Sequence, residues 1–537
     1  MRSEPGSSRS PRPTSGSDAV LAVLRGFNVH CPDVPDTIIR KDYAMASLEK
    51  QVDNPKGIGF IGLVGFVVSS CIGSGVFALT GQLANVASPG AALIAWVVCG
   101  LGFLFLALSL ANLGTKRPEL DGAVAYAEAG FGPVHGFISG WGYWLSAWLG
   151  NVGFGTMLAQ VLGSDYCLGG FMPGVFSSVE TGNPTLIGVL VVSFFLWGLT
   201  YLVIRGVESA SGLNAFVMFV KIASILIFIA FAAFSFQAGV FTEDFWGTLS
   251  RNATVMATTG VDLGDVPTQV TSCILIMMWV FIGIEGASVM SRRAKVKSEI
   301  GSATIVGLLV LLVLYIGASV LPYGVLPYEE LVAAPKPATI SVFEAMAPGW
   351  GGTFISVAIM ISVLGSWLSF TMLPAETSSM LAGHGLLPKA WDKRNANNSP
   401  QMSLIIVGAC TQIFIVIATF AADAYTFAIS MCTVTIVITW AYAAAYQVKH
   451  SIENHDIGQC IIGALALAFQ VFGVIFTGLP FLMLACLGYV PGWFFYKKAR
   501  GENDATMSKG EITIAVILSV IGIISIPLTF TGFIPVF

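Results

Sequence analysis

Long apolar stretches separated by short polar segments fill the chain from about residue 57 to its end. A helix that crosses a membrane needs about 20 mostly apolar residues, and thirteen stretches reach that length. They are continuous runs, unlike the ten-residue alternations of a transmembrane β-barrel, so the pattern predicts an all-α, polytopic membrane protein. Twelve spans are predicted instead if one late segment does not cross. The thirteen predicted spans are 57–79, 90–113, 132–162, 184–204, 211–236, 270–291, 300–322, 353–382, 402–421, 424–448, 457–476, 478–496 and 511–533.

Lysine and arginine lie almost entirely on one side of these spans. Eight precede span 1 and fifteen lie in the even-numbered connections, whereas two lie in the odd-numbered connections and one inside a span. Positive residues accumulate on the cytoplasmic side of a membrane. The N-terminus is therefore predicted to be cytoplasmic and, with thirteen spans, the C-terminus to be outside a plasma membrane or bacterial inner membrane.

Composition narrows the functional class. Only 10% of the residues are charged, against about 25% in soluble domains, and the mean hydropathy is +0.80. A soluble enzyme and a nucleic-acid-binding protein are excluded on this basis. Neither the nine Cys nor the five His have a metal-ligand spacing, and no GxxxxGK[ST] phosphate loop occurs, so no metal site, cofactor or direct ATP drive is predicted.

Two further segments lie outside the membrane in this scheme. Residues 1–56 begin with a Ser-, Pro- and Arg-rich stretch and are predicted to be a largely disordered cytoplasmic tail. Asn252 starts an Asn-Ala-Thr glycosylation pattern on the predicted outer side.

Span 1 carries two glycines close together near its middle, in the sequence Ile72-Gly73-Ser74-Gly75. Each glycine costs roughly 1 kcal/mol of helix propensity relative to alanine. Unwinding here would free backbone groups that lipid cannot satisfy, so an unwound segment has to line a polar cavity. A second half-helix starting near Gly75 would offer free N–H donors and a partial positive charge, which suit a carboxylate.

Span 6 repeats the pattern, with Ile282-Gly283 and Gly286 on either side of Glu285. Spans 1 and 6 are five apart and run in opposite directions. Such matched interruptions indicate the substrate site of an inverted-repeat transporter. The alternative is that these glycines only permit close helix packing. The predicted units are a first repeat over 57–236, a second over 270–448 and appended helices over 457–537.

Two ionisable residues lie inside predicted spans. Glu285 is near the bilayer centre, where an acid is costly and marks a functional site by default; it binds a cation, carries a proton or couples the site to a gate. The alternative is a protonated carboxyl held between helices. Lys221 in span 5 is either a proton carrier or a fixed ammonium, or it extends along the helix to the cytoplasmic surface.

Two other side chains are candidates for contact with a substrate. Trp279 precedes Glu285 by six residues, and its ring face could stack on a guanidinium or ammonium group. Asn151 in span 3 either binds a substrate or hydrogen-bonds across helices.

Four segments resemble the amino acid–polyamine–organocation superfamily, and within it the basic amino acid/polyamine antiporters, particularly those that exchange arginine for ornithine. The resemblance extends from about Gly57 to Lys449. The span-6 segment with its basic tail is the most specific part. The segments are 73–77 (GSGVF), 143–151 (YWLSAWLGN), 279–287 (WVFIGIEGA) leading into 291–294 (SRRA), and 374–377 (PAET) ahead of 385–388 (GLLP).

The resemblance implies a LeuT-like fold of two five-helix inverted repeats, with discontinuous helices 1 and 6 and extra C-terminal helices. It further implies a substrate carboxylate at Ser74 and Gly75, with Trp279 stacked on the substrate side chain and Asn151 at its far end. Glu285 would link binding to gating through Tyr143. Three more residues complete the implied gating and coupling set: the span-8 aromatics Trp367 and Phe370, which compete for one role, and Lys221.

These observations predict a secondary transporter in the lipid bilayer that exchanges a cationic amino acid, arginine, for a related amine or amino acid such as ornithine. The alternative within transporters is proton- or sodium-coupled uptake of neutral or other cationic amino acids. A receptor or accessory subunit that has lost transport is the alternative from another class. Many members of the superfamily form dimers, so a homodimer is also expected.

Overall fold

The computed structural model describes residues 58–534, except 118, 121, 207–210, 248–256, 258–259, 287–294 and 297–298. The predicted disordered tail and the glycosylation pattern at Asn252 lie outside the described residues. Within them the fold is all-α, as predicted, and β-structure is limited to isolated bridge residues, such as Ser177 and Pro184.

Eighteen α-helices are assigned in the described part of the chain. The first nine are α1 Phe60–Cys71, α2 Gly75–Ala84, α3 Pro89–Lys116, α4 Ala123–Phe131, α5 Pro133–Leu162, α6 Leu186–Ile204, α7 Ser211–Phe234, α8 Ala238–Thr242 and α9 Val266–Val280. The next nine are α10 Glu299–Val320, α11 Tyr328–Ala333, α12 Ala338–Met346, α13 Gly351–Gly383, α14 Gln401–Ala418, α15 Ala424–Glu453, α16 Ile457–Gly473, α17 Leu479–Glu502 and α18 Lys509–Phe530.

Each of the thirteen predicted spans overlaps one of these helices or a helix pair. Nine helices in the described residues are long and apolar enough to cross a membrane, or ten spans if the bent pair α1 and α2 counts as one. The shorter α9 and α16 are apolar, and α5 is 30 residues long. The chain is a multi-pass membrane protein, and the count of thirteen stays a prediction.

The helices divide into a central group and a peripheral group. Helix α5 is buried along almost its whole length and packs against α13 and α15. In contrast, α6, α7 and α18 leave most of their apolar surface uncovered. Exposed side chains such as Phe194, Phe219 and Phe530 suit the hydrocarbon of a bilayer. Helix α5 therefore forms the centre of a bundle whose outer helices face lipid.

Candidate functional site

Both predicted interruptions are present. Helices α1 and α2 meet at an angle of 49°, and residues 72–74 between them are not in a helix. Helix α9 ends at Val280 and is followed by turns over 281–285. Gly283 has φ of +107°, a conformation that side chains other than glycine rarely adopt. An added Cβ there would lie 2.9 Å from the carbonyl carbon and oxygen of Ser70, so glycine also lets the two breaks approach each other.

One hydroxyl group connects the two breaks. Tyr315 in α10 donates to the carbonyl of Cys71, at 3.0 Å, and to the carbonyl of Val280, at 2.8 Å. These carbonyls belong to the last residues of α1 and α9, where the helical hydrogen-bond pattern stops. Since a buried carbonyl without a partner costs about 1–3 kcal/mol, the Tyr315 hydroxyl stabilises both interruptions.

The remaining carbonyls of the first break face α13. Ser366 Oγ donates to the carbonyl of Ile72 at 3.2 Å, and Ser362 Oγ lies 3.5 Å from the carbonyl of Gly73. Lys221 Nζ donates to Ser366 Oγ at 2.6 Å and lies 3.4 Å from the carbonyl of Ser69. Lys221 is only 3% exposed, so the alternative in which it extends to the cytoplasmic surface is wrong. Its ammonium group lies directly behind the unwound segment.

Three backbone N–H groups at the start of α2 lack a hydrogen-bond acceptor in the described part of the chain. The backbone N–H of Ala78 is bonded to the Ser74 carbonyl at 3.2 Å, but those of Ser74, Gly75 and Val76 have no acceptor among the described residues. Ser74 is fully buried. Its Oγ accepts a hydrogen bond from Tyr425 Oη at 3.1 Å. The start of α2 is thus a buried cluster of backbone donors.

These donors border a small central cavity of about 10 Å³, roughly the space needed for one water molecule. Trp279, Phe154 and Phe370 form its aromatic wall, with the Phe154 and Phe370 rings packed edge to face at 5.3 Å. Its other lining residues are Ser70, Cys71, Gly73, Ser74, Gly75, Val280 and Ile282.

The sequence left open which span-8 aromatic belongs to this site. Phe370 lines the central cavity, whereas Trp367 is fully buried behind it, with its ring against Gly155 of α5. Asn151 is also behind the wall, where its amide nitrogen donates to the Phe370 carbonyl at 3.2 Å. The Asn151 Oδ1 atom is buried and has no donor within the described part of the chain.

Glu285 lies just beyond the second break and is buried. Tyr143 in α5 donates to its Oε1 at 3.1 Å, and Trp440 in α15 donates to its Oε2 at 3.3 Å. The predicted proximity of Glu285 and Tyr143 is therefore present. This carboxyl group connects the turn after α9 to two other helices.

The chain is similar in sequence to known proteins. The family model described as amino acid permease matches residues 58–534. The chain belongs to the amino acid permease family. Three relatives illustrate the similarity of this permease. The arginine/ornithine antiporter of Latilactobacillus sakei is 45% identical over 89% of the permease and 98% of the relative. The arginine/ornithine antiporter of Pseudomonas aeruginosa is 36% identical over 82% of the permease and 90% of the relative. The arginine/agmatine antiporter of Chlamydia abortus is 35% identical over 88% of the permease and 96% of the relative.

Several residues of the site were not found from the sequence of the permease. Tyr315, Ser366, Tyr425 and Trp440 each bond to a predicted site residue or to the backbone beside one. The available signal was a polar or hydrogen-bonding side chain inside an apolar span. Serine, tyrosine and tryptophan are too frequent in these spans for that signal to identify these four residues. The bonded partner of Trp440 is 155 residues away along the chain, and that of Tyr425 is 351 residues away. Such long-range partners cannot be read from the sequence.

Substituting Tyr315 with phenylalanine is expected to reduce amino acid uptake by the permease about tenfold. The ring and its packing against Phe281 at 5.5 Å remain, but the carbonyls of Cys71 and Val280 lose their common donor, at about 1–3 kcal/mol each. Uptake into proteoliposomes and thermal unfolding measure the two effects.

Tyr323→Phe is the matched control for this prediction. Tyr323 is likewise buried and donates to a backbone carbonyl, that of Ala87 at 2.8 Å, but not at either break. We expect a similar loss of stability with little loss of uptake. Equal loss of uptake in both variants would contradict a special role for Tyr315.

Proposed function

We propose that this permease exchanges a cationic amino acid, arginine, for a related amino acid or amine such as ornithine by alternating access. The observation that carries the proposal is the junction of two interrupted helices at one small buried cavity. The named activities of the relatives, arginine/ornithine and arginine/agmatine exchange, support the same substrate class. They do not favour the symporter alternative.

The N-terminus of α2 suits the substrate carboxylate. Free N–H groups at Ser74, Gly75 and Val76 point from the positive end of a helix dipole. The carboxylate would take up donors that are otherwise unused in a buried place, where an unmade hydrogen bond is costly. The Ser74 hydroxyl accepts from Tyr425, so its own proton is a further donor for the carboxylate.

The substrate's cationic side chain would lie along the aromatic wall. A guanidinium group stacks well on a tryptophan face, and Trp279 forms one side of the cavity. Asn151 Oδ1, which lacks a donor in the described part of the chain, would accept from the far end of the side chain. Since the cavity of about 10 Å³ cannot hold an amino acid, binding requires the Phe370 and Trp279 side chains to separate.

Glu285 would couple binding to closure. Its carboxyl group joins the turn after α9 to α5 and α15 through Tyr143 and Trp440. A substrate that repositions Trp279 would shift this turn and, through Glu285, the two helices packed on it. In this scheme the spans of 57–236 and 270–448 are the inverted repeats. One bundle rocks against the other.

Lys221 would take the place of a coupling ion, so that exchange needs no ion gradient. Its ammonium group bonds to Ser366 and approaches the Ser69 carbonyl, the position from which a bound cation could stabilise the unwound segment. We assign Lys221 the role of this fixed positive charge. Because arginine and ornithine carry the same net charge, their exchange is electrically neutral and needs no coupling ion.

Counterflow in proteoliposomes tests the proposal. Vesicles loaded with ornithine are expected to accumulate labelled arginine, whereas empty vesicles should take up almost none. A panel of lysine, agmatine and neutral amino acids, with and without a pH gradient, defines the substrate range. Gradient-driven uptake into empty vesicles would instead establish a symporter, and binding without movement would establish a receptor.

A further inference from the structure

A second and larger cavity lies next to the central one. Its volume is about 290 Å³, comparable to the lower limit of small-molecule sites, about 300 Å³. It is separate from the central cavity, and the two share no lining residue. We call it the vestibule. Its lining includes Tyr425, Gln82, Gln160, Lys336 and Asp423.

The vestibule continues the central cavity along the same helices. Ala78, Met157 and Ile276 line it, and each lies three residues from a residue of the central cavity, about one helical turn. Those residues are Gly75, Phe154 and Trp279, respectively. The Tyr425 side chain lies between the two spaces, because it lines the vestibule while its hydroxyl bonds to Ser74. The Tyr425 side chain therefore separates a solute in the vestibule from the central cavity.

An ion pair occupies the rim of the vestibule. Lys336 Nζ donates to Asp423 Oδ2 at 2.6 Å. The other oxygen of Asp423 caps α15 by accepting the N–H of Thr426 at 2.9 Å. Both side chains are partly exposed, at 44% for Lys336 and 29% for Asp423. An ion pair exposed to this degree is weak, so a second cation can replace Lys336 at the carboxylate.

The wall of the vestibule holds amide groups without partners. Gln160 is 3% exposed, and its Nε2 atom has no hydrogen-bond acceptor among the described residues. The amide nitrogen and oxygen of Gln82 are also buried and unpartnered there. Buried polar atoms normally have partners in native proteins. These amides therefore point to a polar solute in the vestibule.

We infer that the vestibule is a second binding site, which captures the cationic amino acid before it enters the central cavity. The cationic end of the substrate binds Asp423 in place of Lys336. Its carboxylate accepts a hydrogen bond from the free Gln160 amide nitrogen. Rotation of Tyr425 away from Ser74 then opens the way inward. This inference rests on the proposed function for its substrate, and the positive-inside pattern predicts that the vestibule is on the outer face.

The affinity on the vestibule face of the membrane tests the inference. Asp423→Asn keeps a helix-capping side chain but removes the negative charge. We expect the KM for arginine on that face to rise about three- to tenfold, with an unchanged maximal rate and an unchanged KM on the opposite face. Asp265→Asn is the matched control, because Asp265 caps α9 through the N–H of Thr268 at 3.0 Å and does not line the vestibule.

Lys336→Met separates a capture site from a structural ion pair. If Lys336 competes with the substrate for Asp423, its removal lowers the KM on the vestibule face, opposite to the effect of Asp423→Asn. Changes of the same sign in both variants would show a structural pair and overturn the inference. So would equal effects of Asp423→Asn and Asp265→Asn. Wild-type protein that fails to exchange arginine at all would instead refute the proposed function.

Discussion

Replacing Gly283 with alanine is expected to abolish exchange. The positive φ of Gly283 costs an alanine about 1–3 kcal/mol, and the new methyl group would lie 2.9 Å from backbone atoms of Ser70. Since neither backbone can yield without moving a break, the turn after α9 has to change its path. Arginine counterflow should fall at least a hundredfold, and size-exclusion chromatography should still show a monodisperse protein.

A control for backbone strain alone is Gly349→Ala. Gly349 also has a positive φ, +87°, but no atom lies within 4 Å of the Cβ that an alanine would add. This variant should lose some stability and keep its transport rate. Normal counterflow by Gly283→Ala would show that the close approach of the two breaks is not needed for transport.

The second large effect is expected at Trp279. Trp279→Leu removes the aromatic face from the central cavity and with it a desolvated cation–π contact of about 2 kcal/mol. Arginine affinity should fall about thirtyfold. Isothermal titration calorimetry on purified protein measures the binding, and thermal unfolding measures the stability.

Trp279→Phe provides the comparison at the same position. Both substitutions leave a gap and remove the indole N–H, but phenylalanine keeps a ring face. Its arginine affinity should lie much nearer to that of the wild type. If the leucine and phenylalanine variants bind arginine equally well, stacking is not the role of Trp279.

The sequence predicted the helices and the two breaks because both depend on local properties. Apolar length places a helix in the membrane, and the glycines around Ser74 and Glu285 weaken the helix wherever they occur. The second break lies at the predicted glycines, since α9 ends at Val280 and turns follow over 281–285, inside the predicted span 270–291. Apolar residues persist beyond a break, so hydropathy does not reveal where a helix stops.

Side-chain direction and long-range partners were not predictable in the same way. Trp367 and Phe370 are one turn apart, and only the packing of α13 against α5 decides that Phe370 faces the central cavity. From the sequence, Lys221 could either stay inside the bundle or extend to the cytoplasmic surface. Its hydrogen bonds to Ser366 and to the Ser69 carbonyl hold it inside the bundle. The roles of the site residues, including the substrate contacts of Ile72, Gly73 and Ile282, stay predictions.

The shared donor at Tyr315 has a consequence for the hydration of the transport cycle. A hydroxyl group carries a single proton, so it can serve the carbonyls of Cys71 and Val280 together only while they stay within reach. Any motion that separates α1 from α9 leaves one carbonyl unsatisfied in a dry interior, and a water molecule is the available replacement. Opening of either face should therefore admit at least one ordered water beside the substrate.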